Sequence, residues 1–150
     1  MRKTALAAMV LVILVSGAAA QAIGPEPLWW RIGFSYDDGN ASVLTQEGSR
    51  ILSVGKLGYL QVRDAKTLSL LGMAKITKGA TALVAVAASR NGGPIAVADE
   101  SGDIYLVDAA SLVAFKRLGN GGRFVKRLEF SPDGALLLSD GISAGAWGFD

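Results

Sequence analysis

Ser131-Pro132-Asp133-Gly134 is the most informative stretch of this sequence, because its pattern occurs twice more at regular intervals along the chain. The earlier copies open at Thr45-Gln46-Glu47-Gly48 and at Ser89-Arg90-Asn91-Gly92. Each copy begins a block of 20 residues, and the blocks follow one another at spacings of 44 and 42 residues. The blocks, which align without a gap, are 45–64, 89–108 and 131–150. A period of about 40–45 residues with short strands in each unit predicts propeller blades.

Each block has the pattern of a strand, a tight turn and further strands. The tetrad ends in a glycine, which tolerates the positive φ of a tight turn. These structural turn residues are Gly48, Gly92 and Gly134. The third strand alternates, with Leu60 and Val62 in the first block matching Ile104 and Leu106 in the second. It ends on an aspartate that can accept local backbone N–H groups. The three aspartates predicted to be structural are Asp64, Asp108 and Asp150.

Two copies continue alike beyond the aspartate, with the pattern D-A-x-[S/T]-L, and a fourth strand is predicted over 68–73 and 112–118. Four short antiparallel strands per repeat are the composition of one propeller blade. The predicted fold class is therefore all-β, a β-propeller of four-stranded antiparallel blades with about two complete blades and most of a third. The repeats are expected at about 41–80, 81–123 and 124–150.

Asp150 is both the last residue and the last position of the third strand in its copy. Propellers close with about 4–8 blades, so the chain is expected to form an incomplete ring, the N-terminal portion of a larger propeller. Within the N-terminal segment 21–40, the stretch Leu28-Trp29-Trp30-Arg31-Ile32-Gly33-Phe34 is predicted to be a ring-closing strand over 28–34. Alternatively, its two tryptophans only cover apolar surface at one end of the molecule.

The first twenty residues, 1–20, are predicted to be a signal peptide for secretion. Arg2-Lys3 is a cationic start, residues 5–15 are apolar, and Ala18-Ala19-Ala20 supplies a cleavage site before Gln21. A retained membrane anchor is the alternative, but a spanning helix needs about 20 apolar residues, and this run has eleven. The mature protein is expected in a bacterial periplasm or outside the cell, without a transmembrane anchor.

Composition restricts the chemistry that the chain can carry. Once Arg2 and Lys3 leave with the signal, the 15 basic residues become 13 and balance 13 acidic ones, so nucleic-acid binding is not expected. Cysteine and histidine are both absent, which excludes disulfides, thiolate zinc ligands and a Cys or His nucleophile or base. The sequence therefore predicts no catalytic residue, no cofactor and no metal site.

The stretch Phe130-Ser131-Pro132-Asp133-Gly134-Ala135-Leu136-Leu137-Leu138 resembles the F-S-P-D-G-x-x-L-x signature of WD-repeat and related propellers, among them the YVTN type. Gly102-Asp103-Ile104-Tyr105-Leu106-Val107-Asp108 is similar to the family's third strand, which ends in Trp-Asp. The chain lacks the family's Gly-His dipeptide, and other residues replace its tryptophan. Those replacements are Arg63, Val107 and Phe149. The resemblance, which covers about 42–150, implies a platform that presents loops at one face to protein or peptide partners.

Two further stretches carry polar groups. Asp99-Glu100-Ser101-Gly102-Asp103 has oxygens at alternate positions, but Ile104 and Ala110 stand where an EF-hand calcium loop needs Gly and Glu, so a turn is predicted there. A crowd of basic side chains forms a candidate patch for an anionic partner or lipid headgroups, although a solvated face is the favoured interpretation. The patch consists of Lys116, Arg117, Arg123, Lys126 and Arg127.

The predicted function is an exported, non-catalytic binding or scaffold module for protein or peptide partners. The alternative is the scaffold portion of a larger exported enzyme, such as a quinoprotein-like dehydrogenase or a protease fused to WD-like repeats, whose catalytic residues lie beyond residue 150. A third hypothesis is self-association, in which open blade edges pair between chains.

Overall fold

The computed structural model describes residues 39–45, 47–120 and 124–149. These ranges form three antiparallel sheets, with one 3-10 turn at Arg90–Gly92 and no α-helix among them. The first sheet holds β1 (Gly39–Leu44), β2 (Arg50–Gly55), β3 (Tyr59–Asp64) and β4 (Leu70–Lys75). The second holds β5 (Leu83–Ala88), β6 (Ile95–Asp99), β7 (Asp103–Val107) and β8 (Ala114–Asn120). The third holds β9 (Arg127–Phe130), β10 (Leu136–Asp140) and β11 (Gly145–Gly148).

Within each sheet the strands lie in chain order, so every neighbour is joined by a hairpin turn. The predicted all-β class and the predicted four-stranded antiparallel sheets are confirmed. The predicted signal peptide 1–20, the predicted strand 28–34, Arg123 and Asp150 lie outside the described residues. Among the residues that are described, no helix has the length and apolar character that crossing a membrane requires.

The three sheets stack face to face, with the second sheet between the other two. Successive side chains of a strand point to opposite faces. Accordingly Ile95 and Val97 of β6 pack in a cluster with the first sheet, whereas Ala96 and Ala98 pack in a cluster with the third. All of β6 is buried, while buried and exposed residues alternate along β10. The second sheet is therefore buried on both faces and the third sheet on one.

Strand β6 presents side chains of different size to its two neighbouring sheets. The larger Ile95 and Val97 face the first sheet, whereas the small Ala96 and Ala98 face the third. On that side Ile104 and Leu106 of β7 supply the larger side chains. Leu128, Phe130 and Leu137 of the third sheet lie in the same cluster as those alanines. Large side chains packed against small ones give the close packing that stabilises a core.

The repeated tetrads form the turns between the first and second strands of each sheet. Gly48, Gly92 and Gly134 have φ angles of 68°, 72° and 76°. The N–H of Gly48 donates to the Thr45 carbonyl at 2.8 Å, and the N–H of Gly134 donates to the Ser131 carbonyl at 2.9 Å. A side chain would strain the backbone at such φ values, which is why glycine recurs at this place in each copy.

The D-A-x-[S/T]-L motif forms the turn between the third and fourth strands. Asp108 Oδ1 accepts the N–H and the hydroxyl of Ser111, both at 2.7 Å. Asp64 Oδ1 accepts the same two groups of Thr67, at 2.7 and 2.9 Å. The Ser111 hydroxyl contributes most to lowering the pKa of Asp108, and the Thr67 N–H contributes most to lowering the pKa of Asp64.

The fourth strands, β4 and β8, begin at Leu70 and Ala114, so the predicted starts at 68 and 112 are wrong by two residues. Leu68 and Leu112 still belong to the turn, with φ angles of 61° and 57°. Each donates its N–H to the carbonyl of the turn's aspartate at 2.9 Å. This left-handed backbone is uncommon for a residue with a side chain and incompatible with a strand.

The gapless alignment of the third block is wrong in its last strand. Arg50 of β2 pairs with Asp64, but the matching residue of β10, Leu136, pairs with Gly148, two positions earlier than the alignment predicts. The preceding turn explains this difference of two residues. Gly58 and Gly102 turn with φ angles of 77° and 90°, whereas Ala144 stands at that place in the third block, and its Cβ disfavours a positive φ. The third sheet therefore turns at an earlier position.

A pair of substitutions tests the stacking of the second sheet on the third. Leu106 is 2% exposed between them, and Val113 is 59% exposed. We expect Leu106→Ala to lower the free energy of unfolding by about 2–5 kcal/mol, because it leaves a cavity. Val113→Ala should change it by less than about 0.5 kcal/mol. Urea unfolding followed by circular dichroism measures both, and equal losses would contradict the described packing.

The lowered pKa of Asp108 predicts acid sensitivity. The folded state binds this proton less readily than the unfolded chain, so the stabilisation is complete above the ordinary aspartate pKa of about 3.9. It is lost as the pH falls through the lower folded value. We expect Asp108→Asn to lower Tm at pH 7 and to lower it much less at pH 2. Ser111→Ala keeps the Asp108 charge and removes the hydroxyl that donates to it. It should therefore also lower Tm more at pH 7 than at pH 2, but by less than Asp108→Asn does. A Tm difference that does not vary with pH would overturn this account.

Candidate functional site

An open pocket of about 430 Å³ lies where β6 turns into β7, and the connection between β4 and β5 forms another part of its wall. We call this pocket the polar groove. Its lining residues are Ile76, Thr77, Lys78, Thr81, Asp99, Ser101, Asp103, Tyr105 and Arg117. Hairpin turns alternate between the two ends of an antiparallel sheet. The glycine tetrads and the aspartate turns therefore lie at the end opposite the polar groove.

A buried carboxylate organises the polar groove. Asp99 is 3% exposed, and its Oδ1 accepts the N–H of Ser101 at 2.9 Å and the N–H of Asp103 at 3.0 Å. Its Oδ2 accepts the Tyr105 hydroxyl at 3.1 Å. Burial of an ionised group is costly unless hydrogen bonds replace its water. These three bonds satisfy the carboxylate, hold the β6–β7 turn and fix the direction of the Tyr105 hydroxyl.

Tyr105 is a half-buried phenol beside this carboxylate. Burial contributes most to raising the pKa of Tyr105, and the negative charge of Asp99 raises it further. The hydroxyl therefore stays protonated throughout the neutral range; its one proton is donated to Asp99, and its oxygen can accept a hydrogen bond from a ligand. Such a group can bind and orient a ligand but is not suited to act as a base.

The exposed part of the polar groove carries positive charge. Arg117 on β8 contacts the Asp103 carboxylate, whose hydrogen bond contributes most to raising the Arg117 pKa. Lys78, in the β4–β5 connection, is exposed and has no ion pair within the described ranges. An arginine held by a carboxylate and a lysine without one can receive polar or anionic groups of a ligand, as in other polar binding sites.

The β4–β5 connection is held rigidly against the first sheet. The Thr77 hydroxyl, which is buried, donates to the Thr81 carbonyl at 2.7 Å. A Cβ added at Gly58 would lie 2.0 Å from Thr77 Oγ1 and 2.6 Å from the Thr81 carbonyl oxygen. Glycine in the β2–β3 turn thus permits the connection to approach, so one wall of the polar groove is positioned by the first sheet.

The first repeat builds the same strands without these polar groups. Tyr105 pairs with Arg117 in the second sheet, and the register-equivalent pair in the first sheet is Gln61 and Met73. Gly55 stands in the first copy where Asp99 stands in the second. The blade architecture therefore does not require the buried carboxylate, the phenol or the guanidinium. Groups that the scaffold does not require are the natural candidates for binding.

The four residues of the predicted anionic-partner patch that the structure describes are distributed over several elements; Arg123 lies outside the described residues. Lys116 and Arg117 are neighbours in β8, so their side chains point to opposite faces of the second sheet. Arg127 lies on the third sheet, where it contacts Glu129. Lys126 is exposed just before β9, and its N–H donates to the Asp140 carbonyl at 2.7 Å. Among these four described residues, Arg117 alone lines the polar groove.

The predicted turn at Asp99–Asp103 carries the site's acidic groups. Within the described part of the chain, no three or more His, Cys, Asp or Glu side chains are grouped so that they could hold a metal ion. The Asp99 oxygens already accept protein donors. The arrangement is therefore suited to recognition through hydrogen bonds and charge.

Comparison with known proteins shows the fold. No family model and no curated protein matches the chain. Among solved structures 836 chains match, so the architecture is widespread and does not by itself select a function. One of them is U3-55K, a WD40 protein, with a TM-score of 0.68 and 21% sequence identity over 78% of this chain. The match covers 38% of U3-55K, so this chain corresponds to well under half of that protein. The described sheets are consistent with the blades of a β-propeller.

Sequence analysis identified Arg117 by its charge but missed Asp99, Tyr105 and Lys78 as parts of one site. Comparison of the aligned blocks could have identified two of these residues, because Asp99 and Tyr105 stand where the first block has Gly55 and Gln61. Lys78 gave no signal, because it lies in a connection outside the repeated blocks.

Proposed function

We propose that this protein is an exported, non-catalytic β-propeller module of the WD-repeat-like kind, and that it binds protein or peptide partners in the polar groove. The observation that carries the proposal is the set of polar groups that the second repeat adds to a scaffold the first repeat builds without them. The fold shared with the WD40 protein U3-55K supports an interaction module.

The chemistry of the polar groove favours a peptide with an acidic group. Arg117 is exposed although it contacts Asp103, and the exposed Lys78 lines the same groove. Desolvated pairs between such cations and a carboxylate give specificity and a fast association rate. Ile76 in the lining provides apolar contact beside them.

Selection from a displayed random peptide library tests this function. We expect peptides enriched on the purified chain to lose affinity at least about tenfold, or about 1.4 kcal/mol, when Lys78→Glu reverses the charge at the polar groove. Lys66→Glu is the matched control, because Lys66 is exposed in a turn at the opposite end of the first sheet. Fluorescence anisotropy measures the dissociation constants. Failure to enrich peptides, or equal binding to both variants, would refute the proposed site.

Export has its own test. Production of the full chain in a secreting bacterium should yield a periplasmic or secreted protein that begins at Gln21, because cleavage follows Ala18-Ala19-Ala20. N-terminal sequencing and intact mass identify the cleavage point. A product that keeps Met1 and remains with the membranes would show an anchor instead.

A further inference from the structure

A small cavity opens between the first and second sheets, at the end of the stack where the glycine tetrads turn and opposite the polar groove. We call this cavity the notch, and its volume is about 30 Å³. The buried Leu52, Val62 and Ile95 form its inner wall, and the half-buried Ala88 lines it beside them. The notch is therefore an apolar gap in the interface of the two sheets.

The interface between the second and third sheets has a large side chain at the corresponding place. Ala88 and Phe130 each stand directly before a tetrad. Ala88 pairs with Ile95, and Phe130 pairs with the matching Leu137. Ala88 packs toward the first sheet, and Phe130 packs in the same way toward the second, where it is 8% exposed. One position of the repeat thus carries a methyl group at one interface and a buried aromatic ring at the other.

The facing wall compensates for this difference only in part. Leu52 of β2 stands at the position of Ala96 in β6, as the strand pairing of the two sheets shows. The first interface therefore joins leucine to alanine, whereas the second joins alanine to phenylalanine. Because phenylalanine is larger than leucine, the first interface is left with unfilled volume at the notch. Protein interiors are close-packed, so a gap of this kind marks a place that another group can fill.

The chemistry of the notch favours an apolar occupant. A buried water molecule makes about three hydrogen bonds, and cavities lined by apolar side chains stay dry and bind apolar groups. The inner wall offers no hydrogen-bonding side chain. The hydroxyls of Thr45 and Ser89 lie in the lining, and Thr45 Oγ1 already accepts the N–H of Arg50 at 3.1 Å. An apolar side chain inserted here would cover the wall that the chain itself leaves uncovered.

Two exposed side chains of opposite charge, Glu47 and Arg50, stand at the mouth of the notch. Neither makes an ion pair within the ranges that the structure describes. A surface of one sign, such as a nucleic acid or an anionic membrane, would attract Arg50 but repel Glu47. A polypeptide can present a basic and an acidic side chain together, so charge complementarity selects a peptide segment as the occupant.

From these observations we infer that the notch is a second binding site, into which a partner protein inserts one branched aliphatic side chain from a peptide segment. A basic residue of that segment pairs with Glu47, and an acidic residue pairs with Arg50. The small volume favours an aliphatic side chain over an aromatic ring. Phe130 is the internal precedent, because it shows that the repeat accepts a larger apolar group at this place. The site is independent of peptide binding in the polar groove.

Peptide selection on the Lys78→Glu chain tests the notch separately from the polar groove, because this substitution removes a cation of the groove. We expect enriched peptides to contain valine, isoleucine or leucine beside a basic and an acidic residue. Ala88→Val fills the notch from within, so it should weaken their binding at least about tenfold while keeping or raising Tm. Ala146→Val adds the same atoms at an exposed position of β11 and should leave binding unchanged.

Charge exchange supplies a second measurement on the same peptides. Glu47→Lys should weaken binding, and changing the peptide's basic residue to glutamate should restore it, because the pair is formed again with its charges exchanged. The loss should be smaller at high salt, since exposed charges are screened. Glu129→Lys, at an exposed acidic residue of the third sheet, is the control and should leave binding unchanged.

The outcomes for the two sites are distinguishable. Peptides that bind the Ala88→Val chain as tightly as the chain with Ala88, or a failure to enrich peptides on the Lys78→Glu chain, would overturn the inference. Peptides that the wild type enriches and Lys78→Glu no longer binds would support the polar groove alone. If Ala88→Val lowers Tm, the charge exchange decides the question by itself, and binding that Glu47→Lys leaves unchanged would overturn the inference.

Discussion

The alternation of side chains along a strand is the constraint on which this structure depends. A sheet stacked on both sides can bury both faces of an inner strand, and β6 is buried throughout with Ile95, Ala96, Val97 and Ala98. Burial of apolar surface contributes roughly 25 cal/mol per Å², so a chain without disulfides can be stabilised by stacking. Stacking also keeps the repeat length nearly constant, because each repeat must bring the chain to the position where the next sheet begins.

The turns at the two ends of each sheet are stabilised in different ways. At one end, residues such as Asp108 and Gly134 satisfy the turns by local hydrogen bonds and local φ angles, so the glycine recurs in three copies and the aspartate turn in the first two sheets. At the other end, the β4–β5 connection joins two sheets and contacts the β2–β3 turn through Thr77 and Gly58. There the second copy places Asp99 and Tyr105, which the first copy does without. The second copy therefore differs from the first in polar groups of the polar groove, where the proposed binding site lies.

The sequence predicted the strands of the first two sheets well, because apolar alternation and turn residues are local signals. The register of β11 was not predictable by matching aspartates, since it depends on where the chain can turn once Ala144 replaces a glycine. The starts of β4 and β8 depend on the left-handed backbone of Leu68 and Leu112. This conformation cannot be predicted from the residue type, because leucine rarely adopts it. The burial of Asp99 arises from tertiary packing, so its carboxylate looked like an ordinary turn residue. By contrast, the separation of Lys116 from Arg117 could have been predicted from strand alternation alone.

One repeated scaffold thus carries two kinds of face. The interior faces use Ala85, Ala87 and Val107 and are stable only when covered, because exposing them would return apolar surface to water. The outward faces of the first and third sheets use Arg63, Arg127 and Glu129 at the corresponding positions. Charged side chains keep such a face soluble when it is bare, and they can be buried only against opposite charge. The interior stacking therefore forms part of the folded state of the chain, whereas any contact made by the outward faces depends on the charge of what covers them.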